Sequence, residues 1–361
     1  MAVSRINEAG LNINQYGNRN LVINGAMTVS QRGDSTGITA SAYCGPDRFQ
    51  TILSSAGTWS ISQSTTNPAG FANSLKFDCT TADASLSAGD YLILYHKFEG
   101  QNLQHLKKGT ADAKKLTLSF WIRSNKTGTY QVNLYDNDNT RNIGKTYTID
   151  TADTWEHKTL TFDGDTTGTF NNDANQSMNI EWWFAAGSNY NSGSVPTSWE
   201  ASSDPDRAAG LNVNLADSTS NELYITGVQL EVGDTATDFE HRTFGDELQK
   251  CQRYYKRIST TSSSQHLAFA YGLNYTSTIF LGGLNLSPEM RAVPSFSTNV
   301  FNDSSLVVVR NNNTSTISAM SISGTGASVR LNATSSSLTA GDGGYIQLND
   351  ADSYVDFDAE L

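Results

Sequence analysis

Apolar and polar residues alternate with period two along most of this 361-residue chain, and that pattern restricts its fold more than any other feature. Successive side chains of a strand point to opposite faces, so an alternating run buries one face and wets the other. In Leu116–Ser124, Leu116, Leu118, Phe120 and Ile122 share one phase, and Thr117, Ser119, Trp121 and Arg123 the other. Tyr130, Val132 and Leu134 alternate with Gln131, Asn133 and Tyr135. Within Met178–Ala185, Met178, Ile180, Trp182 and Phe184 fall on one face. Tyr91–Phe98 is apolar on both faces, as a central strand covered on both sides requires. Turn-forming residues at Lys126–Gly128, Asp136–Asn139, Asp163–Gly168 and Gly187–Gly193 separate these runs. Many short strands with regular turns predict an all-β sandwich of jelly-roll type. Its opening strand is expected at Leu21–Val29 and its closing strand at Glu222–Val232. In the closing strand, Leu223 and Ile225 share a face, whereas Val228, Leu230 and Val232 have the opposite parity. One extra residue at Thr226–Gly227 restores the register, which predicts a β-bulge.

The pattern changes twice. Residues 1–20 are sparsely apolar and read as an N-terminal attachment arm ahead of a sandwich domain at 21–242. At 243–258 the period becomes helical: Leu248, Cys251, Tyr254, Tyr255 and Ile258 recur at helical spacing, and Thr243 with Asp246 forms a capping box. One short connecting helix is expected, about Gly245 to Arg257. Ser259–Ser264 is a compositional break, after which alternation resumes. Leu267, Phe269 and Tyr271 share a phase; Thr276–Leu281, Leu306–Val309, Ile317–Ile322, Val329–Leu331, Tyr345–Leu348 and Tyr354–Phe357 continue as strands. Residues 259–361 therefore read as a second, smaller β domain.

Thirty-six acidic against 24 basic residues leave a net charge of -12, a surface that repels phosphate backbones. Lys107–Lys108 and Lys114–Lys115 are two short pairs in one loop region and read as solvated charge, so nucleic acid is not an expected partner. Met1–Gly10 lacks an apolar core of the kind that signal peptides need, and no apolar run is long enough for a membrane span. Cys44, Cys79 and Cys251 are too widely spaced for a CxxC site and are expected as reduced, mostly buried thiols.

Chemistry-bearing motifs are not evident. The histidines 96, 105, 157, 241 and 266 stand apart, and HExxH, GxSxG, P-loop and dinucleotide fingerprints do not occur. Asp136–Asn139 opens like a calcium loop, but Arg141 and Tyr147 occupy the sixth and twelfth positions, where Gly and a carboxylate are needed. No cofactor is expected; a structural calcium at the sandwich edge is left unplaced. Glycoside hydrolysis needs two carboxylates facing one sugar. Glu181 alternates outward from its strand's apolar face and reads as a solvated charge, so no catalytic residue is assigned and the chain is expected not to be an enzyme. Trp182 belongs to the core. Trp183 has the opposite parity and is expected at the surface, while Tyr190 and Trp199 lie in the Gly/Ser/Asn-rich segment Gly187–Asp204. Trp183, Tyr190 and Trp199 are thus the candidate ligand-binding residues, by stacking on sugar rings; the competing reading is that they pack the loop down.

Two stretches carry a resemblance: NRNLVINGAMTVSQRG (Asn18–Gly33) with GPDRF (Gly45–Phe49), and ELYITGVQLEVGDTATDFEHRTFGDELQKCQRYYKR (Glu222–Arg257). Together with LTLSFWIRS and WWFAAG between them, they resemble the tail-fibre-like virion proteins of bacteriophages, of marine and cyanobacterial type. The C-terminal LSPEMRAVPSF and DAEL are similar more weakly. The resemblance implies a sandwich similar to jelly-roll carbohydrate-binding modules. It also implies a homotrimeric virion component, assembled in the host cytoplasm, released by lysis and held to other virion proteins by its arm. Two roles follow from it: a receptor-binding adhesin that contacts host surface polysaccharide, or a capsid or tail decoration protein that binds no ligand. The chain has no coiled-coil, collagen-like or β-helical shaft, which fits a compact appendage better than an extended fibre.

Overall fold

The alternating runs become strands. A computed structural model describes residues 18–262, 266–301, 303–311 and 313–361. Most of the expected N-terminal arm lies outside the described residues; only Asn18–Asn20 fall within them. The chain divides into two compact units, one ending at Phe244 and the other beginning at Gly245.

The first unit is a jelly-roll sandwich. Its strands are β1 (Ser35–Tyr43), β2 (Phe49–Ser64), β3 (Ser74–Thr81), β4 (Tyr91–Glu99), β5 (Leu116–Ser124), β6 (Gly128–Asp136), β7 (Arg141–Ile149), β8 (Glu156–Phe162), β9 (Gln176–Ala186), β10 (Glu200–Ala201) and β11 (Glu222–Val232). One hydrogen-bonded path runs β10-β7-β6-β9-β4-β2-β3-β11-β5-β8, with β1 beside β2. The path folds into two layers because β2 turns a corner. Its first half pairs with β4 and its second with β3. At the corner Ser54 and Ser55 both oppose Tyr91, and Ser55 and Gly57 have φ of 51° and 77°. A Cβ on Gly57 would meet Thr81 O at 2.6 Å, so this position needs glycine twice over. The layers meet through aromatic side chains: Phe120 of β5 lies 6.0 Å from Trp182 of β9, and Phe77 of β3 lies 5.3 Å from Phe184. Trp59, Phe77, Phe120 and Trp182 are fully buried. Truncating any one to alanine costs about 3–5 kcal/mol.

The bulge in β11 is present. Its pairing with β5 slips between Thr226 and Gln229, and Gly227 has φ 61°. The expected opening strand is not formed, however. Leu21–Val29 is a turn-rich segment in which Asn24 and Met27 have left-handed backbones. Met27 and Val29 are buried as the alternation predicts, but Leu21 and Ile23 are only part-buried and Val22, of the opposite parity, is buried in their place. The backbone hydrogen bonds of the segment go to the bulge instead of to a ladder. Val228 N donates to Gly25 O, Asn20 Nδ2 donates to Val228 O, and Leu21 N donates to Leu230 O. A Cβ on Gly25 would lie 2.1 Å from Val228 O, so glycine alone permits this approach. The two stretches most distinctive in sequence are thus folded against each other.

The second unit begins with the helix. Its range is Phe244–Gln252, shorter than the periodicity predicts, because Tyr255–Ser259 is a strand. Tyr254 and Tyr255 are buried, but a strand in a three-stranded sheet and the bend before it put them there. That sheet consists of β12 (Tyr255–Ser259), β20 (Tyr354–Asp358) and β15 (Ser295–Thr298). A six-stranded closed barrel follows, in the order β13 (Leu267–Asn274), β14 (Ile279–Asn285), β18 (Ser328–Ser335), β17 (Asn313–Gly324), β16 (Leu306–Arg310) and β19 (Gly343–Leu348). Closure leaves the barrel no free edge. Phe269 and Tyr271 do not share a face as expected. A bulge between Ala268 and Ala270 shifts the phase, so Phe269 is buried and Tyr271 exposed.

Candidate functional site

The outer face of the β7-β6-β9-β4-β2-β1 layer carries a dense array of polar and aromatic side chains. Strand register places one residue from each strand in a single row: Gly144, Asn133, Glu181, Tyr95, Gln50 and Tyr43. A neighbouring row runs Asn142, Tyr135, Asn179 and Lys97. Another runs Gln131, Trp183, Ile93 and Ile52. Alternation explains the arrangement. Each residue has the phase opposite to the core residues of its strand, such as Val132, Leu134, Ile180 and Trp182.

A solvent face of this kind is ordinarily wet. Here the segment after β9 lies across part of it. The short helix α1 (Ser188–Asn191) and the turns Asp204–Gly210 bring Arg207 over the sheet. Arg207 Nη2 donates to Glu181 Oε1 at 2.8 Å and to the Tyr95 hydroxyl at 2.8 Å. The Arg207 guanidinium also lies 5.3 Å from the Tyr135 ring centroid and 5.2 Å from that of Trp183. Glu181 further accepts from Asn179 Nδ2, Trp183 Nε1 and Asn133 Nδ2. Gln131 and Asn133 tie the loop down through the Asp206 and Arg207 carbonyls. Burial disfavours the charge on Arg207, but the Glu181 carboxylate outweighs it and holds the group above its ordinary range. Burial and the same carboxylate push the Tyr95 hydroxyl well up, so it stays a neutral donor.

Beside the loop the face stays open. Tyr43, Gln50, Tyr95, Lys97 and Tyr135 are half-buried, and Asn137 is exposed with its amide on Asn179 Oδ1 at 2.6 Å. Several buried polar atoms there have no partner among the described residues: Gln50 Oε1, both amide atoms of Asn142, and Arg207 Nε. Such atoms are costly unless something supplies a hydrogen bond.

The three aromatics singled out by sequence separate. Trp183 does point away from the core side of β9, but it is fully buried and not at the surface. The loop covers it, and Tyr190 packs on it at 5.5 Å and on Tyr91 at 5.2 Å. Glu181, expected as a solvated charge, is 1% exposed for the same reason. Trp199 stands elsewhere. Its indole N–H donates to Asp163 O, and its ring lies 5.6 Å from Lys108 Nζ. Lys108, expected as solvated loop charge, is itself buried. Nζ meets Asp136 Oδ2 at 2.5 Å, Asp165 Oδ2 at 3.1 Å, and the Thr167 and Gly168 carbonyls at 2.8 and 3.0 Å. An ammonium therefore sits on Asp136, the first residue of the segment weighed as a calcium loop. Arg141 adds two hydrogen bonds to Asp165. Burial opposes the Asp165 charge, but these cations hold its carboxyl below the usual range. Among the described residues no group of three or more His, Cys, Asp or Glu side chains could hold a metal ion, and no helix is long and apolar enough to cross a membrane.

Sequence reasoning passed over Tyr95, Tyr135, Gln50, Asn133, Asn179 and Arg207. A signal existed: on β6 and β9 the outward phase reads Gln131, Asn133, Tyr135 and Asn179, Glu181, Trp183, amides and aromatics in place of the usual Thr, Ser and Lys.

No family model matches the sequence, and no curated protein matches it. Among solved structures the chain is similar to a CBM4 structure, at 14% identity and TM-score 0.29 over 59% of this chain and 99% of the other. It is similar to a family 11 carbohydrate-binding module from Clostridium thermocellum, solved with a β-1,3-1,4-mixed-linked tetrasaccharide, at 11% identity and TM-score 0.29 over 59% of this chain and 100% of the other. A third likeness is to the enzymatically active domain of bacteriophage CBA120 tailspike protein 4, at 11% identity and TM-score 0.28 over 60% of this chain and 22% of the other.

Proposed function

We propose that this chain is a glycan-binding adhesin of a phage-type particle, and that it holds saccharide on the outer face of the β7-β6-β9-β4-β2-β1 layer. The observation that carries this reading is the convergence there of half-buried tyrosines with amide and guanidinium atoms that lack partners. Tyrosine rings suit the C–H faces of sugars, and the part-exposed Gln50 and Lys97 suit their hydroxyls. The partner is a cell-surface polysaccharide, and several copies in a homotrimer offset a weak single site. Attachment to other virion proteins falls to the N-terminal arm.

Catalysis is not part of the proposal. The Glu181 carboxylate is committed to Arg207, Asn179 and Trp183, which suits a positioned hydrogen-bond acceptor and not a nucleophile or general acid. Incubation with a bound polysaccharide is expected to release no new reducing ends.

The test is binding of the purified chain to a panel of immobilised bacterial capsular polysaccharides and β-glucans. Tyr95→Ala and Tyr135→Ala are expected to weaken binding about tenfold or more, equivalent to about 1.4 kcal/mol each. Unchanged binding by both, with an unchanged melting temperature, would overturn the site. A capsid or tail decoration role is the second reading. It draws on the inward packing of Trp183 and Trp199, and stoichiometric binding to empty particles with none to cells or polysaccharide would establish it.

A further inference from the structure

The barrel of the second unit has an outer face that its own fold does not explain. Tyr271 of β13 is 64% exposed and Leu273 48%. Tyr345 of β19 pairs with Tyr271 across the ladder, ring centroids 5.9 Å apart. On the other side Tyr271 pairs with Gly283 of β14, and Gly283 pairs with the exposed Arg330 of β18. Leu273 is flanked in the same way by Gly343.

These glycines differ from their neighbours. A Cβ on Gly272 would meet Leu281 O at 1.8 Å, and one on Gly344 would meet Val309 O at 2.5 Å. Packing demands glycine there. At Gly283 and Gly343 the nearest atom to a Cβ is 3.8 Å away, and neither backbone is left-handed. Neither close packing nor conformation calls for glycine, and glycine weakens a strand. What it supplies is bare backbone level with the tyrosine rings, the ground a flat ligand occupies.

The size of the patch selects the occupant. Tyr271, Leu273, Tyr275 and the part-exposed Tyr345 and Leu281 present roughly 400 Å² of apolar surface, whereas a stable interface between two copies takes about 800 Å² from each. That area matches one or two pyranose rings. We propose that this face is a second glycan site. A pyranoside lies on the backbone at Gly283, stacked on Tyr271, with hydroxyls toward Arg330 and Asn332. The site stands independently of the one on the sandwich.

The experiment uses the full chain, the same polysaccharide panel, and the variants Tyr271→Ala and Gly283→Val, each alone and combined with Tyr95→Ala. Gly283→Val fills the bare ground with a strand-favouring side chain and is expected to leave the melting temperature unchanged. Both variants are expected to weaken binding about tenfold, and to remove what Tyr95→Ala leaves. Loss with Gly283→Val but not with Tyr95→Ala would uphold the barrel site and overturn the sandwich site. Binding untouched by Tyr271→Ala and Gly283→Val on both backgrounds would overturn the barrel site. So would wild-type protein that binds nothing on the panel. A wild-type oligomer that these variants dissociate in light scattering would make the patch a contact between copies and overturn it as well.

Discussion

The outer faces of the sandwich and the barrel reach opposite solutions. The sandwich buries charge where a sheet is normally wet, with Glu181 and Asn133 locked beneath the loop that carries Arg207. The barrel exposes aromatics where a sheet is normally polar and clears the space around them with Gly283 and Gly343. The sandwich face is shaped by a hydrogen-bond network, so its geometry is cooperative and each member depends on the others. The barrel face is shaped by the omission of side chains, so single changes there should cost little. Stability measurements can break or sharpen that contrast.

The largest effect is expected from the sandwich's internal cation. Lys108→Met leaves Asp136 buried without its ammonium and should destabilise the sandwich by about 3–5 kcal/mol in urea unfolding. A loss under 1 kcal/mol would mean that the carboxylates rearrange into water.

Acid should also act on the sandwich. His96 is fully buried in it, and burial, with Arg48 adding to it, holds its pKa well below the ordinary 6.5. The unfolded chain therefore takes up a proton that the folded chain refuses. Stability from this group is complete above about pH 6.5 and falls as pH drops below it, with a slope of up to about 1.4 kcal/mol per pH unit. Melting followed from pH 7 to 5 should show this decline, and His96→Gln should flatten it.

Gly227→Ala should cost about 1–2 kcal/mol. Its φ is +61°, and a Cβ would press on Phe71 at 2.7 Å and Trp121 at 3.0 Å. Gly283→Val should fall within about 0.5 kcal/mol of wild type, the smallest effect of the set. If the two glycine substitutions cost the same, the distinction between required and unrequired glycine is wrong.

Alternation made the strands legible. Leu116–Ser124 matches β5 residue for residue, and the bulge at Gly227 followed from a parity change alone. Leu21–Val29 misled because its buried apolar residues, Val22, Met27 and Val29, do not keep one parity; Asn24 and Gly25 give it left-handed and closely packed backbone that shifts the phase. The helix came out too long because Tyr254 and Tyr255 satisfy helical spacing while serving a strand start. For the site, parity placed Trp183 and Glu181 on the right face but could not show that Arg207, 26 residues on from Glu181, would cover them. The parity of a strand states which face a residue takes, and says nothing of what later settles on that face.

By itself the sequence determined the fold class, most strand positions and the bulge, since all are local consequences of backbone periodicity and turn chemistry. Only the tertiary structure decided that β2 serves both layers, that Leu21–Met27 fills the β11 bulge, that Lys108 is a buried cation, and that Gly283 stands beside an exposed tyrosine. Each of these depends on a partner many residues away, and long-range pairing is set by how faces pack, a property that no window of sequence contains.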